Sequence, residues 1–230
     1  RGNIVSGMMN DQSEFSVNAM AKVMAASDEA MGLYLVNEIT SYTPTDPEMN
    51  LSMNILASFN EIAPDKMTTF YVEAPDMMNT LTTSAFESAT EDDIEKISSM
   101  MQQAPGENTA FLMQNMVEHN PEMIAGVYND LSSQDFDLFD HIETAKNQTP
   151  QTTIQDPANF TAETNILVNP TENYVNQDQY INKLKNEMFE EIINNSEGTA
   201  AEIAGEIMMN TSGGNTQLMM ENLVETNPGA

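Results

Sequence analysis

The chain has no cysteine and no tryptophan, and Arg1 is its single arginine. Without cysteine there are no disulfides, thiolate metal ligands or thiol nucleophiles, whichever redox compartment the protein occupies. Basic residues are nearly missing as well: 7 Lys and Arg stand against 36 Asp and Glu, a formal net charge of -29 at pH 7. Binding a polynucleotide or an anionic lipid surface requires Lys or Arg to displace condensed counterions. Nucleic acid is therefore excluded as a partner. No apolar run approaches the 18 or so residues a membrane helix needs, so no membrane insertion is expected.

Catalytic signatures are missing too. There is no H-E-x-x-H zinc motif, no G-x-S-x-G elbow, no Walker loop and no G-x-G-x-x-G after a strand. An EF-hand loop needs glycine at its sixth place and an oxygen ligand at its fifth. The best window, "DFDLFDHIETAK", offers Asp140 and Phe139 there. Nothing groups a nucleophile with a base and an orienting residue, so no enzymatic activity is expected. The opening "RGNIVSGMMN" lacks an initiator methionine, a basic n-region and an apolar h-region. It reads as the interior of a longer or processed chain.

What remains is helical, methionine-rich and asparagine-rich. Hydrophobic residues make up 40% of 230, enough for a sizeable core, and 20 Met outnumber 12 Leu. Met31, Leu35, Ile39 and Tyr42 recur at helical spacing after a capping Asp28. Leu51, Ile55, Phe59 and Ile62 do the same before Pro64. "SATEDDIEKISSMMQQAPG" opens with a Ser/Thr cap and acids in the first turn, as the helix dipole favours. The next helix is expected to be capped by Asn108 or Thr109, with Leu112 and Met116 in the core. Ser133 is expected to cap a helix carrying Phe136 and Phe139. From Thr144 periodicity fades, and the stretch holds Pro150, Pro157 and Pro170, with room for a short strand at Asn165–Val168. Helices resume near Gln177.

The chain repeats itself. "GENTAFLMQNMVEHNP" (Gly106–Pro121) returns as "GGNTQLMMENLVETNP" (Gly213–Pro228), with nine of 16 positions identical at an offset of 107. A slide of 57 residues pairs Glu61 with Glu118, Pro64 with Pro121 and Tyr71 with Tyr128. The repeated element is a helix, a proline corner and a second helix. Pro64, Asn120-Pro121 and Asn227-Pro228 are read as structural joints, because a residue before proline avoids helical geometry. Pro228 should open a further helix, so the array is expected to continue in a larger parent protein.

The expected fold is all-α. Tandem helical hairpins, as an α-solenoid-like array or a multi-helix bundle, are interrupted by an irregular segment. Residues 1–143 form one helical repeat region, 144–176 a Thr/Asn/Pro-rich linker or excursion, and 177–230 a second, truncated repeat region. The stretch "NPEMIAGVYNDLSSQDFDLFDHIE" resembles the hairpins of the flagellar motor-switch middle domain and of the cytoplasmic N-domain of magnesium transporters. The resemblance implies a helical scaffold and carries no chemical group.

Two histidines invite a chemical reading. His119 is replaced by Thr226 in the second copy while the Asn-Pro corner is kept, so the repeated feature is the corner and not the imidazole. His141 has Asp137, Asp140 and Glu143 close by, and on a helix Asp137, Asp140 and His141 would share a face. That set could hold a divalent cation weakly; a solvated acidic face is the plainer account. No cofactor is expected beyond divalent cations held loosely by acidic surface. Methionine pairs at helical spacing read as packing or adaptable protein contact before copper binding. The expected function is a non-catalytic scaffold or protein–protein interaction module. It would bind protein partners or itself through apolar Met/Leu/Phe faces, within a bacterial extracytoplasmic or surface assembly. Low Lys, no Cys and abundant Asn and Thr suit that setting. The alternative is a calcium-responsive acidic protein.

Overall fold

The computed structural model describes residues 2–11, 13–42, 44, 49–145, 177–196 and 198–226. Among these, 83% are helical and none lies in a strand. The fold is all-α. The expected strand at Asn165–Val168 and nearly all of the irregular segment 144–176 lie outside the described residues. The described residues fall into two compact units, 2–104 and 105–145 with 177–226. The division falls at Ala104–Pro105, inside the stretch read from sequence as one region.

The first unit holds seven α-helices: α1 (Gly2–Asp11), α2 (Glu14–Ala25), α3 (Glu29–Thr40), α4 (Leu51–Ile62), α5 (Pro64–Glu73), α6 (Pro75–Glu87) and α7 (Ile94–Gln103). Helix α4 lies at its centre, packed on α2, α6 and α7, and α3 packs on α6. The caps follow local chemistry. Asp28 accepts from the Met31 N–H at 2.9 Å, and Asn50 from the Met53 N–H at 2.9 Å. Asp93 accepts from the Thr90 N–H at 3.2 Å, in the 3-10 turn Glu91–Asp93 that starts α7. Phe59, Phe70 and Phe86 are fully buried, each stabilising by about 1.5–3 kcal/mol relative to exposure. Ile62, expected on the apolar stripe of α4, is 37% exposed, because it is the last residue before the chain turns.

The second unit holds α8 (Gly106–His119), α9 (Met123–Ser133), α10 (Leu138–Glu143), α11 (Gln177–Asn195), α12 (Ala200–Met209) and α13 (Gly213–Thr226). Helix α11 packs on α8 and α9 and touches α10, α12 and α13. Helix α8 starts at Gly106 behind Pro105, so Asn108 and Thr109 are buried helical residues and not caps. Pro105 already fixes the start, and its own φ and missing N–H cost nothing there. Ser133 ends α9 and does not cap α10. Asp135 takes left-handed backbone (φ 57), and the Phe136 N–H reaches the Leu131 carbonyl at 3.1 Å. That closes α9 in a Schellman-type turn, and Asp137 becomes the cap of α10.

Three joints between helices share one backbone conformation. Ala63 (φ -149, ψ 61), Ala74 (φ -138, ψ 55) and Asn120 (φ -156, ψ 65) each precede a proline. Steric clash with the proline ring bars such a residue from the helical region. Its N–H nevertheless completes the preceding helix: Ala63 to Phe59, Ala74 to Phe70 and Asn120 to Met116, at 2.9, 3.0 and 2.8 Å. One residue thus ends one helix and starts the next.

Candidate functional site

The four residues nominated as a cation set stand on or beside α10 but point to different partners. Asp137 lies outside the helix as its cap, accepting from the Asp140 N–H at 3.0 Å. It therefore does not share a helical face with Asp140 and His141. Asp140 accepts from the Asn215 side-chain amide at 2.8 Å. His141 stacks near Phe136, with ring centroids 5.0 Å apart. Glu143 forms an ion pair with Lys185 of α11. Among the described residues no three His, Asp or Glu side chains converge as a metal set.

These groups build a polar lock instead. Lys185 is 3% exposed, and burying an ammonium is costly unless it is paired and hydrogen-bonded. Its Nζ meets both Glu143 and the Asn215 Oδ1, the latter at 2.6 Å. Asn215 then passes its amide to Asp140 and, at 3.3 Å, to Ser212. One lysine and one asparagine therefore tie α10, α11 and α13 together. A second such tie runs from the Asn222 amide to Glu190 at 2.9 Å. Burial raises the Asp137 carboxyl above its ordinary range, helped by the Asp140 charge and opposed by backbone N–H groups of Asp140, Phe139 and Ser212.

The corner residues divide in the same plain way. Pro64 and Pro121 each open the segment after a joint of the shared geometry. Asn227 and Pro228 lie outside the described residues. Sequence reading missed the third joint at Ala74-Pro75. Its signal was available, since "APD" stands at Ala63–Asp65 and again at Ala74–Asp76. The 57-residue pairing matches in burial as well as in letters. Ile55 and Leu112, Leu56 and Met113, Phe59 and Met116, and Met67 and Ile124 are all fully buried. Tyr71 and Tyr128 are both buried, and desolvation pushes both hydroxyls up; for Tyr128 a bond with Ser132 opposes this, while Asp137 and Glu206 add to it. Both rings are neutral packing groups at ordinary pH.

The methionine pairs Met77-Met78 and Met100-Met101 are buried, whereas Met209 is 79% exposed. A cleft of about 590 Å³ opens in the first unit between α2, α4 and α7. Glu14, Glu61, Asp92 and Glu95 line it, and its Lys96 pairs with Asp93 at 3.4 Å. Four acids to one base is close to the balance of the whole chain, 36 to 7, so the cleft has no charge signature of its own. Among the described residues no helix is long and apolar enough to cross a membrane. The chain matches no protein-family model, no curated protein and no solved structure.

Proposed function

We infer that the protein is a non-catalytic scaffold or protein–protein interaction module built from repeated helix–corner–helix elements. One observation carries this reading. The same element, α4 to α5 and α8 to α9, is written once in each compact unit, with equivalent residues buried and the pre-proline joint in the same conformation. Repetition of a supersecondary unit with its packing register is how arrays extend, each copy offering apolar faces to the next. In this reading the units stack as tandem hairpins, and the acidic outer faces keep the array soluble. The apolar Met, Leu and Phe faces are its means of meeting protein partners or other copies. An extracytoplasmic bacterial setting is proposed on composition alone: few Lys, no Cys, abundant Asn and Thr.

Small-angle scattering tests the array. A compact chain of this length has a radius of gyration of about 17 Å. A tandem arrangement gives a clearly larger value with an elongated distance distribution. A value at the compact limit would remove the array and leave a bundle.

A further inference from the structure

Helices α8 and α13 carry the same sequence pattern but are covered differently. Both bury one face: Asn108, Leu112 and Asn115 in α8, and their equivalents Asn215, Met219 and Asn222 in α13. Helix α8 buries a second face as well, with Ala110 and Met113 fully covered and Val117 partly so. The equivalents in α13 are Gln217, Met220 and Val224. Gln217 is exposed, Met220 is 48% exposed and Val224 is 64% exposed. Positions i, i+3 and i+7 lie on one side of a helix, so these three residues form a single open stripe. Two large apolar side chains at the same register where α8 covers its own are more than scattered surface apolar residues.

What sits beside that face in α8 is visible. Helix α11 packs along it, and the seam runs between Gln114, Val117 and Glu118 on one side and Tyr180, Lys183 and Leu184 on the other. The Tyr180 hydroxyl bonds to the Gln114 side-chain oxygen. Helix α13 keeps acceptors and valine in the same register: Glu221 replaces Gln114, Val224 replaces Val117 and Glu225 replaces Glu118. A carboxylate accepts a phenol hydrogen bond more strongly than an amide does.

We propose that the Gln217–Met220–Val224 face of α13 docks an amphipathic helix of a protein partner, one presenting a tyrosine–leucine stripe flanked by lysine, as α11 presents to α8. Helix α11 of a second copy does not fill the role, because Tyr180 and Leu184 are 3% and 1% exposed in their own unit. The lysine suits the acidic flank that Glu221 and Glu225 add in sequence, and Met220 gives the seat an adaptable contact. This inference rests on the scaffold reading and specifies one of its faces.

The test uses the full chain and a synthetic helical peptide. The peptide carries Tyr, Lys, Leu and Glu at the α11 spacing (i, i+3, i+4, i+7) on an alanine–lysine host. Binding is read by fluorescence anisotropy. The expected result is saturable binding that persists in high salt. Val224→Glu should weaken it at least tenfold, and a peptide with Ser in place of Tyr and Leu should abolish it. Val23→Glu, at an exposed apolar site on α2, should leave it unchanged. Circular dichroism checks that each variant keeps its helix content. Binding that vanishes in salt, or that Val224→Glu leaves intact, overturns the proposal. So does a dimer of the chain alone that Val224→Glu dissolves, since that assigns the face to self-association. An elongated scattering profile without peptide binding sinks this surface and leaves the scaffold standing; a compact profile with binding does the reverse.

Discussion

A β-carbon placed on Gly106 would lie 2.2 Å from the Thr144 hydroxyl and 2.6 Å from the His141 carbonyl oxygen. The second of these is backbone and cannot step aside. Gly213, at the matching place in the second copy, has nothing within 4 Å. The two glycines look equivalent in sequence and are opposite in consequence. Gly106→Ala is expected to destabilise the second unit by about 1–3 kcal/mol, as overpacking against fixed atoms does. Gly213→Ala should be neutral or stabilising by up to about 1 kcal/mol, since alanine restricts the unfolded chain and favours helix. Urea denaturation followed by circular dichroism separates them, and equal effects would show that the α8–α10 contact is misplaced. Asp137 supplies a pH-dependent case. Its folded carboxyl holds its proton above the ordinary 3.8, so the folded state binds more protons than the unfolded state in the window just above that value. Stability therefore falls as pH rises through the window, and the penalty persists at neutral pH. Asparagine caps a helix as well as aspartate does and cannot ionise. Asp137→Asn should raise the melting temperature at pH 7, with the gain shrinking to nothing as pH drops below the ordinary carboxylate value. A gain independent of pH would point to a cause other than ionisation.

Between elements, the buried Lys185 decides how α10, α11 and α13 meet. Replacing it with methionine keeps much of the volume but leaves Glu143 and the Asn215 oxygen without their cation. Breaking a buried ion pair on one side costs about 3–5 kcal/mol. Glu143 keeps 38% exposure and can be rehydrated, so about 2 kcal/mol is the reasonable expectation for Lys185→Met. Adding Glu143→Gln should recover part of that loss, and a double-mutant cycle measures how much. This lock also marks where sequence reading stopped. Caps such as Asp28 and Thr90 were legible because cap and helix are neighbours in the chain. The joint at Pro64 was legible because proline acts on the residue before it. The acidic cluster at 137–143 was legible as charge, but its purpose was not, because Lys185 lies 42 residues from Glu143 and Asn215 lies 75 from Asp140. The same limit explains Asn108 and Thr109: a polar pair at a helix start reads as a cap unless Pro105 is credited with the start. Ala74-Pro75 is different, since its "APD" repeat was on the page and local. The repeat register itself was legible, and burial then showed that α8 and α13 differ in what covers them.

Over the whole molecule, charge sets the terms. A net charge of -29 repels itself most in the compact state, where the carboxylates are closest together. Raising salt from about 10 to about 150 mM shortens the screening length from about 30 Å to about 8 Å. That is below the spacing of many surface charges on a chain this size, so much of the repulsion is removed. The melting temperature should rise by at least about 3 °C over that range, which corresponds to roughly 1 kcal/mol for a chain of this length. Divalent cations should do the same at lower concentration, because they neutralise acidic surface more effectively per ion. The engagement of Asp140 and Glu143 with Asn215 and Lys185 bears on which divalent ion matters. If the stabilisation is diffuse, Ca²⁺ and Mg²⁺ at equal concentration shift the melting temperature alike, and calorimetry shows no saturable heat for either. A dedicated calcium site would behave otherwise: Ca²⁺ would saturate at micromolar to millimolar levels, Mg²⁺ would not, and Asp140→Asn would reduce the effect. The expected outcome is the first. A calcium-specific saturable heat that Asp140→Asn removes would replace the polar lock with a cation site at the same residues.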